Sequence, residues 1–112
     1  MTTNATILLA FLAVVFVVSG LSKASGNEKG LSGTRDVNVK DGIARVIGTF
    51  EALLAFGLIL GLKWNWMAYL PLVGLWFFMA GAIFTHFKVG KAKTAFPAFF
   101  LLTLISIALV LI

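Results

Sequence analysis

Four ionisable residues lie inside or beside long apolar runs of this sequence, and their chemistry is the first question that the chain raises. Glu51 lies within the run "RVIGTFEALLAFGLILGL", which Arg45 begins; Lys23 follows the first apolar run, and His86 lies near the end of the third. A carboxylate and an imidazole can both exchange protons, and ionisable residues within membrane segments often mark ligand sites or proton pathways. Glu51 and His86 are therefore candidate cofactor-binding or proton-exchanging residues, and Lys23 and Arg45 are candidates for a structural polar cluster beside them.

The residue types exclude several kinds of redox and metal site. The chain cannot hold a haem between two histidines, because His86 is its only histidine, and it has no cysteine for a thiolate site. We predict no catalytic residue, no metal site and no intrinsic cofactor, so no self-sufficient catalytic or redox centre is visible. A quinone stays compatible with the sequence, because it needs mainly an apolar slot with one or two proton-exchanging groups such as Glu51 and His86. The aromatic run "LWFFMAGAIF" could line such a slot.

The elements that must position these residues are membrane-spanning helices. Of 112 residues, 61% are hydrophobic and 12% charged, and the mean hydropathy is +1.07, which leaves too little polar surface for a water-soluble globule. Four apolar runs are each long enough to cross a bilayer as a helix, and none alternates as the strands of a membrane barrel do. We predict an all-α integral membrane four-helix bundle, one domain over residues 1-112, with spans at about 5-22, 43-62, 66-87 and 95-112 and a polar cytoplasmic loop at 22-42.

The basic residues predict how the bundle is oriented. Eight of the nine lysines and arginines lie in or beside the first and third loops, and Lys63 alone lies on the other side. The positive-inside tendency places both loops in the cytoplasm and both termini outside the inner membrane, with Trp64, Trp66 and Tyr69 at the outer interface.

The segment "MTTNAT" lacks the positive charges of a signal peptide, so we expect the first run to be retained as a span. In a soluble protein a net charge of +5 would suggest nucleic-acid binding, but in a membrane protein it reflects the distribution of lysine and arginine over the loops, so we expect no nucleic-acid partner. The linker "KVGKAKT" is expected to attract anionic lipid.

Glu51 is expected at an interface between helices. At about 100° per residue it shares one helix face with Ala44, Gly48 and Ala55, and small residues let membrane helices approach closely. In such a place the carboxylate must be either paired or protonated, because an ionised group facing lipid is costly.

The predicted partners of Glu51 are Lys23 and His86, which reach the same end of the bundle from neighbouring helices. Arg45 lies at that end too, but its direction around the helix is poor for an intrahelical pair. These polar residues, Lys23, Arg45, Glu51 and His86, could hold the helices together or bind a ligand, and the sequence leaves both interpretations open.

The ordered set of motifs across the chain resembles a known family. "SGLSK" closes the first helix, "RVIGTFEALLAFGLILGL" forms the second, "MAGAIFTHFKVGK" closes the third, and "FPAFF" begins the fourth. This pattern is similar to the DoxX-like family of small four-helix membrane proteins. The residues that carry the resemblance are Gly20, Lys23, Arg45, Gly48, Glu51, Gly57 or Gly61, Met79, Ala82 and His86. The first loop departs from the pattern, since it reads as polar and without the short amphipathic stretch common in relatives.

The resemblance implies two kinds of function. Members are associated with quinone-linked oxidation, as small subunits of a terminal quinol oxidase and of a thiosulfate:quinone oxidoreductase, and others with oxidative-stress complexes or membrane-protein assembly. We therefore expect a small component of quinone-linked oxidoreduction, with a non-catalytic accessory subunit or assembly factor as the alternative. The expected partners are the lipid bilayer and a larger membrane complex or a second copy. The Gly57 and Gly61 pair could pack within the bundle or against such a copy.

Overall fold

Residues 2–112 form five α-helices. The computed structural model describes residues 2–112. The helices are α1 (Thr3–Ala24), α2 (Glu28–Asp36), α3 (Asp41–Lys63), α4 (Tyr69–Lys88) and α5 (Phe96–Leu111), and single 3-10 turns at Asn65–Ala68 and Ala92–Ala95 lead into α4 and α5.

The predicted all-α bundle with four spans is confirmed. Four segments are long and apolar enough to cross a membrane: Thr3–Ala24, Asp41–Lys63, Asn65–Lys88 and Ala92–Leu111. They match the four predicted spans to within a few residues at each end. The chain is thus a multi-pass membrane protein, and its outward faces carry the exposed apolar side chains that lipid requires.

The prediction that the first loop lacks an amphipathic stretch is wrong. Within residues 22–42, α1 continues to Ala24, and α2 occupies Glu28–Asp36. The Asn27 side chain caps α2 by accepting hydrogen bonds from the backbone N–H groups of Lys29 (2.9 Å) and Gly30 (3.3 Å). Leu31 and Val37, on and just after the helix, are 3% and 5% exposed and attach it to the bundle.

The four long helices pack in a closed ring. Helix α1 packs against α3, α3 against α4, α4 against α5, and α5 against α1. Contact is closest between α1 and α3, where a Cβ on Gly48 would lie 2.6 Å from the backbone oxygen of Gly20. Only glycine permits this approach. The pair of helices is therefore fixed by its smallest residues, as is usual in membranes.

The Gly57 and Gly61 pair packs within the bundle. A Cβ on Gly57 would meet the Pro71 ring at 2.6 Å, and one on Gly61 would meet Ala68 Cβ at 2.6 Å. These two glycines admit the start of α4, so they are not free to form a contact between copies.

The two ends of the bundle differ in character. At one end α3 turns tightly into α4, with Lys63 Nζ 4.9 Å from the centre of the Trp64 ring and Trp66 72% exposed. At the other end lie α2 and the connection from α4 to α5, joined by a hydrogen bond of 2.7 Å from Lys91 Nζ to the backbone oxygen of Asp36. We call this second end the loop end.

Candidate functional site

A buried ion pair joins α1 to α3. Lys23 Nζ lies 3.1 Å from Glu51 Oε1 and donates to Oε2 at 3.3 Å. Ser19 Oγ donates to the same Oε2 at 3.3 Å, and Lys23 Nζ donates to Ser19 Oγ at 3.1 Å. Glu51 is 1% exposed. These three side chains, hereafter the Glu51 cluster, form one closed network of hydrogen bonds.

Helix geometry explains the cluster. Ser19 and Lys23 are four residues apart on α1, so both point to the same side. Gly48 lies three residues before Glu51 on α3, and a Cβ there would meet Lys23 Cβ at 2.5 Å. The absent side chain thus makes room for the lysine stem, which carries its ammonium group along α3 to the carboxylate.

The Glu51 cluster stabilises a buried carboxylate in apolar surroundings. An isolated carboxylate costs several kcal/mol inside a membrane, whereas an opposite charge with further hydrogen bonds offsets much of this cost. Within residues 2–112, every buried side-chain nitrogen and oxygen atom has a hydrogen-bond partner. The ion pair is therefore electrostatically complete in the absence of any ligand.

A cavity of about 490 Å³ opens beside the Glu51 cluster at the loop end. All five helices contribute to its wall, which is mainly apolar, and α2 covers one side through Thr34, Val37 and the following Val39. Its lining residues are Phe16, Ser19, Lys23, Gly33, Thr34, Val37, Val39, Ile47, Glu51, Phe77, Phe78, Met79, Gly81, Ala82, Thr85, His86, Thr94, Pro97, Ala98 and Leu101.

His86 lines the same cavity but does not bond to Glu51. Its Nδ1 shares a hydrogen bond with Thr94 Oγ1, while that hydroxyl donates to the backbone oxygen of Lys91 at 2.7 Å. Which of the two groups donates in the His86–Thr94 bond depends on the tautomer of the imidazole. The Nε2 atom has no hydrogen-bond partner among residues 2–112 and remains available to a ligand.

A turn at the end of α4 places His86 and Thr94 together. Gly90 has a φ of +75°, which glycine adopts readily, and the Lys91 N–H donates to the backbone oxygen of His86 at 2.8 Å. The chain therefore reverses directly after α4, and Thr94 returns to the level of the imidazole.

Arg45 lies outside the Glu51 cluster. Its Nε donates to the backbone oxygen of Ala24 at 3.0 Å, so the guanidinium binds the free carbonyl end of α1. A cation at this position also complements the negative end of the helix dipole. The structure thus brings Lys23 and Glu51 together, places His86 on the same cavity wall, and gives Arg45 a separate link between α1 and α3.

Sequence reasoning missed two features of the site. Ser19 was not named, although its position four residues before Lys23 in "SGLSK" would have placed it on the same helix face. The second feature is the anchoring of α2. Arg35 binds Glu28 at 2.7 Å and both oxygens of Asp41 at 2.8 and 3.0 Å, which ties α2 to the start of α3. The hydrogen bonds to Asp41, and then those to Glu28, raise the pKa of the Arg35 guanidinium above its ordinary value.

Within residues 2–112, no three histidine, cysteine, aspartate or glutamate side chains lie together as metal ligands would. The proton-exchanging groups that face the cavity are Glu51 and His86.

The fold and the site define a small four-span membrane bundle in which a buried lysine–glutamate pair faces an apolar cavity. Residues 7–108 match the DoxX-like family, so the chain belongs to this family over nearly its whole length. No curated protein and no solved structure matches the chain.

Proposed function

We propose that the cavity at the loop end binds the head group of a quinone, and that the protein is a small component associated with quinone-linked oxidoreduction in the cytoplasmic membrane. One observation carries the proposal: proton-exchanging groups from two different helices, Glu51 on α3 and His86 on α4, face one largely apolar cavity of about 490 Å³. Ligand sites for lipophilic molecules have this composition, with apolar walls and a few placed polar groups.

The chemistry of a quinone suits these two groups. Reduction of a quinone to a quinol consumes two electrons and two protons, and its two carbonyl oxygens accept hydrogen bonds before they accept protons. Lys23 and Ser19, which bind Glu51, would redirect hydrogen-bond donors from it to a quinone oxygen. The unpartnered Nε2 of His86 donates when it carries a proton. In this proposal the chain holds the ring and exchanges protons, and the electrons come from a partner enzyme.

The proposed orientation puts this exchange close to the cytoplasm. The first and third loops, rich in lysine and arginine, lie at the loop end, and the positive-inside tendency favours this end in the cytoplasm with both termini outside. Glu51 and His86 would then take protons from the cytoplasmic side.

The second candidate function is a non-catalytic accessory subunit or assembly factor that packs against a larger membrane complex. The observation that favours it is the completeness of the Glu51 cluster, in which Lys23 and Ser19 already satisfy the carboxylate. In that case Glu51 holds α1 against α3, and the cavity has no ligand of its own.

Glu51→Gln separates the two candidates. The amide keeps an oxygen that can accept from Lys23, but it cannot exchange a proton. Protein extracted from its own membrane in mild detergent is analysed by native mass spectrometry, with bound small molecules identified in the same run. Under the quinone proposal, the parent protein carries a stoichiometric quinone that Glu51→Gln loses while its helical circular dichroism persists.

The matched control is Asp36→Asn, which removes one negative charge from an exposed residue of α2. This variant should keep its quinone. Wild-type quinone content in folded Glu51→Gln would refute the quinone proposal. Loss of a co-purifying polypeptide from Glu51→Gln, with no ligand in the parent protein, would support the accessory subunit.

A further inference from the structure

The connection between α4 and α5 carries a positive charge that the chain does not balance. Lys91 and Lys93 lie in it, Lys88 ends α4 directly before it, and the sequence has no acidic residue after Glu51. Lys91 donates to the backbone oxygen of Asp36. Lys88 and Lys93, by contrast, have no hydrogen bond or ion pair to any residue in the described part of the chain, 2–112. Both exposed ammonium groups are therefore free to bind an anionic group from outside the protein.

An apolar groove begins at one of these lysines. It has a volume of about 480 Å³ and lies between the end of α4 and the start of α5. Lys93 stands in its wall, and the remaining wall is apolar, with Ile83 and Phe87 from α4 and Phe96 and Phe99 from α5. It shares no lining residue with the cavity beside the Glu51 cluster.

The groove lies at the depth where a lipid changes from polar to apolar. Both helices are membrane spans, and the groove lies where α4 ends and α5 begins, so one end faces the head-group layer and the other the hydrocarbon. Phe87, Phe96 and Phe99 are 60%, 68% and 58% exposed, which leaves their rings open to an acyl chain. Helix α5 also begins without a side-chain cap, so the positive end of its dipole adds to the charge of Lys93.

We propose that this groove binds one anionic phospholipid, with an acyl chain along Phe87 and Phe99 and the phosphate at Lys93. Basic pockets between membrane helices bind anionic head groups by this combination of charge and apolar contact. A zwitterionic lipid fits less well, because its own ammonium group is repelled by Lys88 and Lys93. The site is independent of the proposed quinone function, since neither Glu51 nor His86 contributes to it.

The test measures lipid binding to the full-length protein. Phosphatidylglycerol and phosphatidylcholine with identical acyl chains are titrated into the protein in mild detergent, and each bound state is counted by native mass spectrometry. We expect tighter binding of phosphatidylglycerol, and we expect Lys93→Gln to weaken it about fivefold, the effect of one lysine near a charged lipid surface. Lys29→Gln is the matched control, because Lys29 is exposed on α2 at the same end but lies outside the groove.

A second variant tests the groove itself. Ala92 is exposed and lines the groove, so Ala92→Leu should obstruct the acyl chain and weaken both lipids without altering the charge. The proposal is overturned by equal binding of the two lipids to the parent protein. Equal effects of Lys93→Gln and Lys29→Gln would overturn it too, as would unchanged phosphatidylglycerol binding by Ala92→Leu with native circular dichroism.

Discussion

The ion pair between Lys23 and Glu51 should couple α1 to α3 energetically, and a double-mutant cycle measures this directly. Lys23→Met removes the cation but keeps an unbranched apolar stem beside Gly48. Glu51 then stays at 1% exposure with Ser19 as its remaining partner. Glu51→Met removes the carboxylate instead, and the double variant leaves no charge at the site.

The magnitude follows from the geometry. At the 3.1 Å separation between Lys23 Nζ and Glu51 Oε1, two unit charges attract by about 5 kcal/mol at an effective dielectric constant of about 20. Desolvation offsets part of this, and loss of one partner from a buried pair costs about 3–5 kcal/mol. We expect Lys23→Met to lower the free energy of unfolding by about 3 kcal/mol, near the lower end, because the lysine side chain is 19% exposed and its site is partly solvated.

The single variants should differ from each other. Glu51→Met leaves a lysine near the end of α1 that can extend towards the head groups, so it should cost less, about 1–2 kcal/mol. The double variant has no unpaired charge and should cost less than the sum of the two single changes, by at least about 1 kcal/mol.

The assay is reversible unfolding in mixed micelles by titration with sodium dodecyl sulphate, followed by far-ultraviolet circular dichroism. Lys29→Met, at an exposed position on α2, controls for the loss of a lysine and should change the free energy by less than about 0.5 kcal/mol. Losses from the two single variants that simply add in the double variant would refute the coupling. The cluster would then be no more than a close approach of two independent side chains.

Two further predictions concern helix packing and α2. Gly48→Ala should lower the free energy of unfolding by about 1–3 kcal/mol in the same titration, because its Cβ would lie 2.6 Å from the Gly20 backbone. Gly81→Ala, with no atom within 4 Å of the new Cβ, should be neutral or slightly stabilising, and equal losses from both changes would contradict the packing argument. Arg35→Gln should release α2 from α3 and speed amide hydrogen exchange over Glu28–Asp36 while the spans keep their protection. Unchanged exchange in α2, measured by mass spectrometry, would show that the buried Leu31 and Val37 hold it without Arg35.

The spans could be predicted from sequence because a bilayer demands about twenty apolar residues per helix, and that signal needs no tertiary context. The short helix α2 could not. It has nine residues, two of them glycine, and its apolar face consists of the single buried Leu31, which is too little to mark a helix in the sequence. Arg35 forms one ion pair within the helix, with Glu28, but its ion pair with Asp41 exists only once α3 is in place.

Part of the site could also be predicted from the sequence, because the order of the spans fixes which residues share one end of the bundle. Topology alone brought Lys23, Glu51 and His86 to one end of the bundle, and the small residues beside Glu51 indicated that it faces another helix. The bond from Arg45 to the Ala24 carbonyl depends on how α1 ends, and the bond between His86 and Thr94 depends on the turn at Gly90. Such local backbone geometry leaves little trace in composition or periodicity.

The sequence separation of the ion pair has a consequence for biogenesis. Lys23 precedes Glu51 by 28 residues, so the helix that carries the cation is synthesised before the helix that carries the anion. When the ribosome delivers α3 to the insertion machinery, its one buried acidic group, Glu51, already has a counter-ion in the preceding membrane span, α1. The insertion of the Glu51 carboxylate into the membrane is therefore assisted by Lys23, which has already been translated. Helices α4 and α5 are then added to a pair of spans, α1 and α3, whose buried charges already neutralise each other.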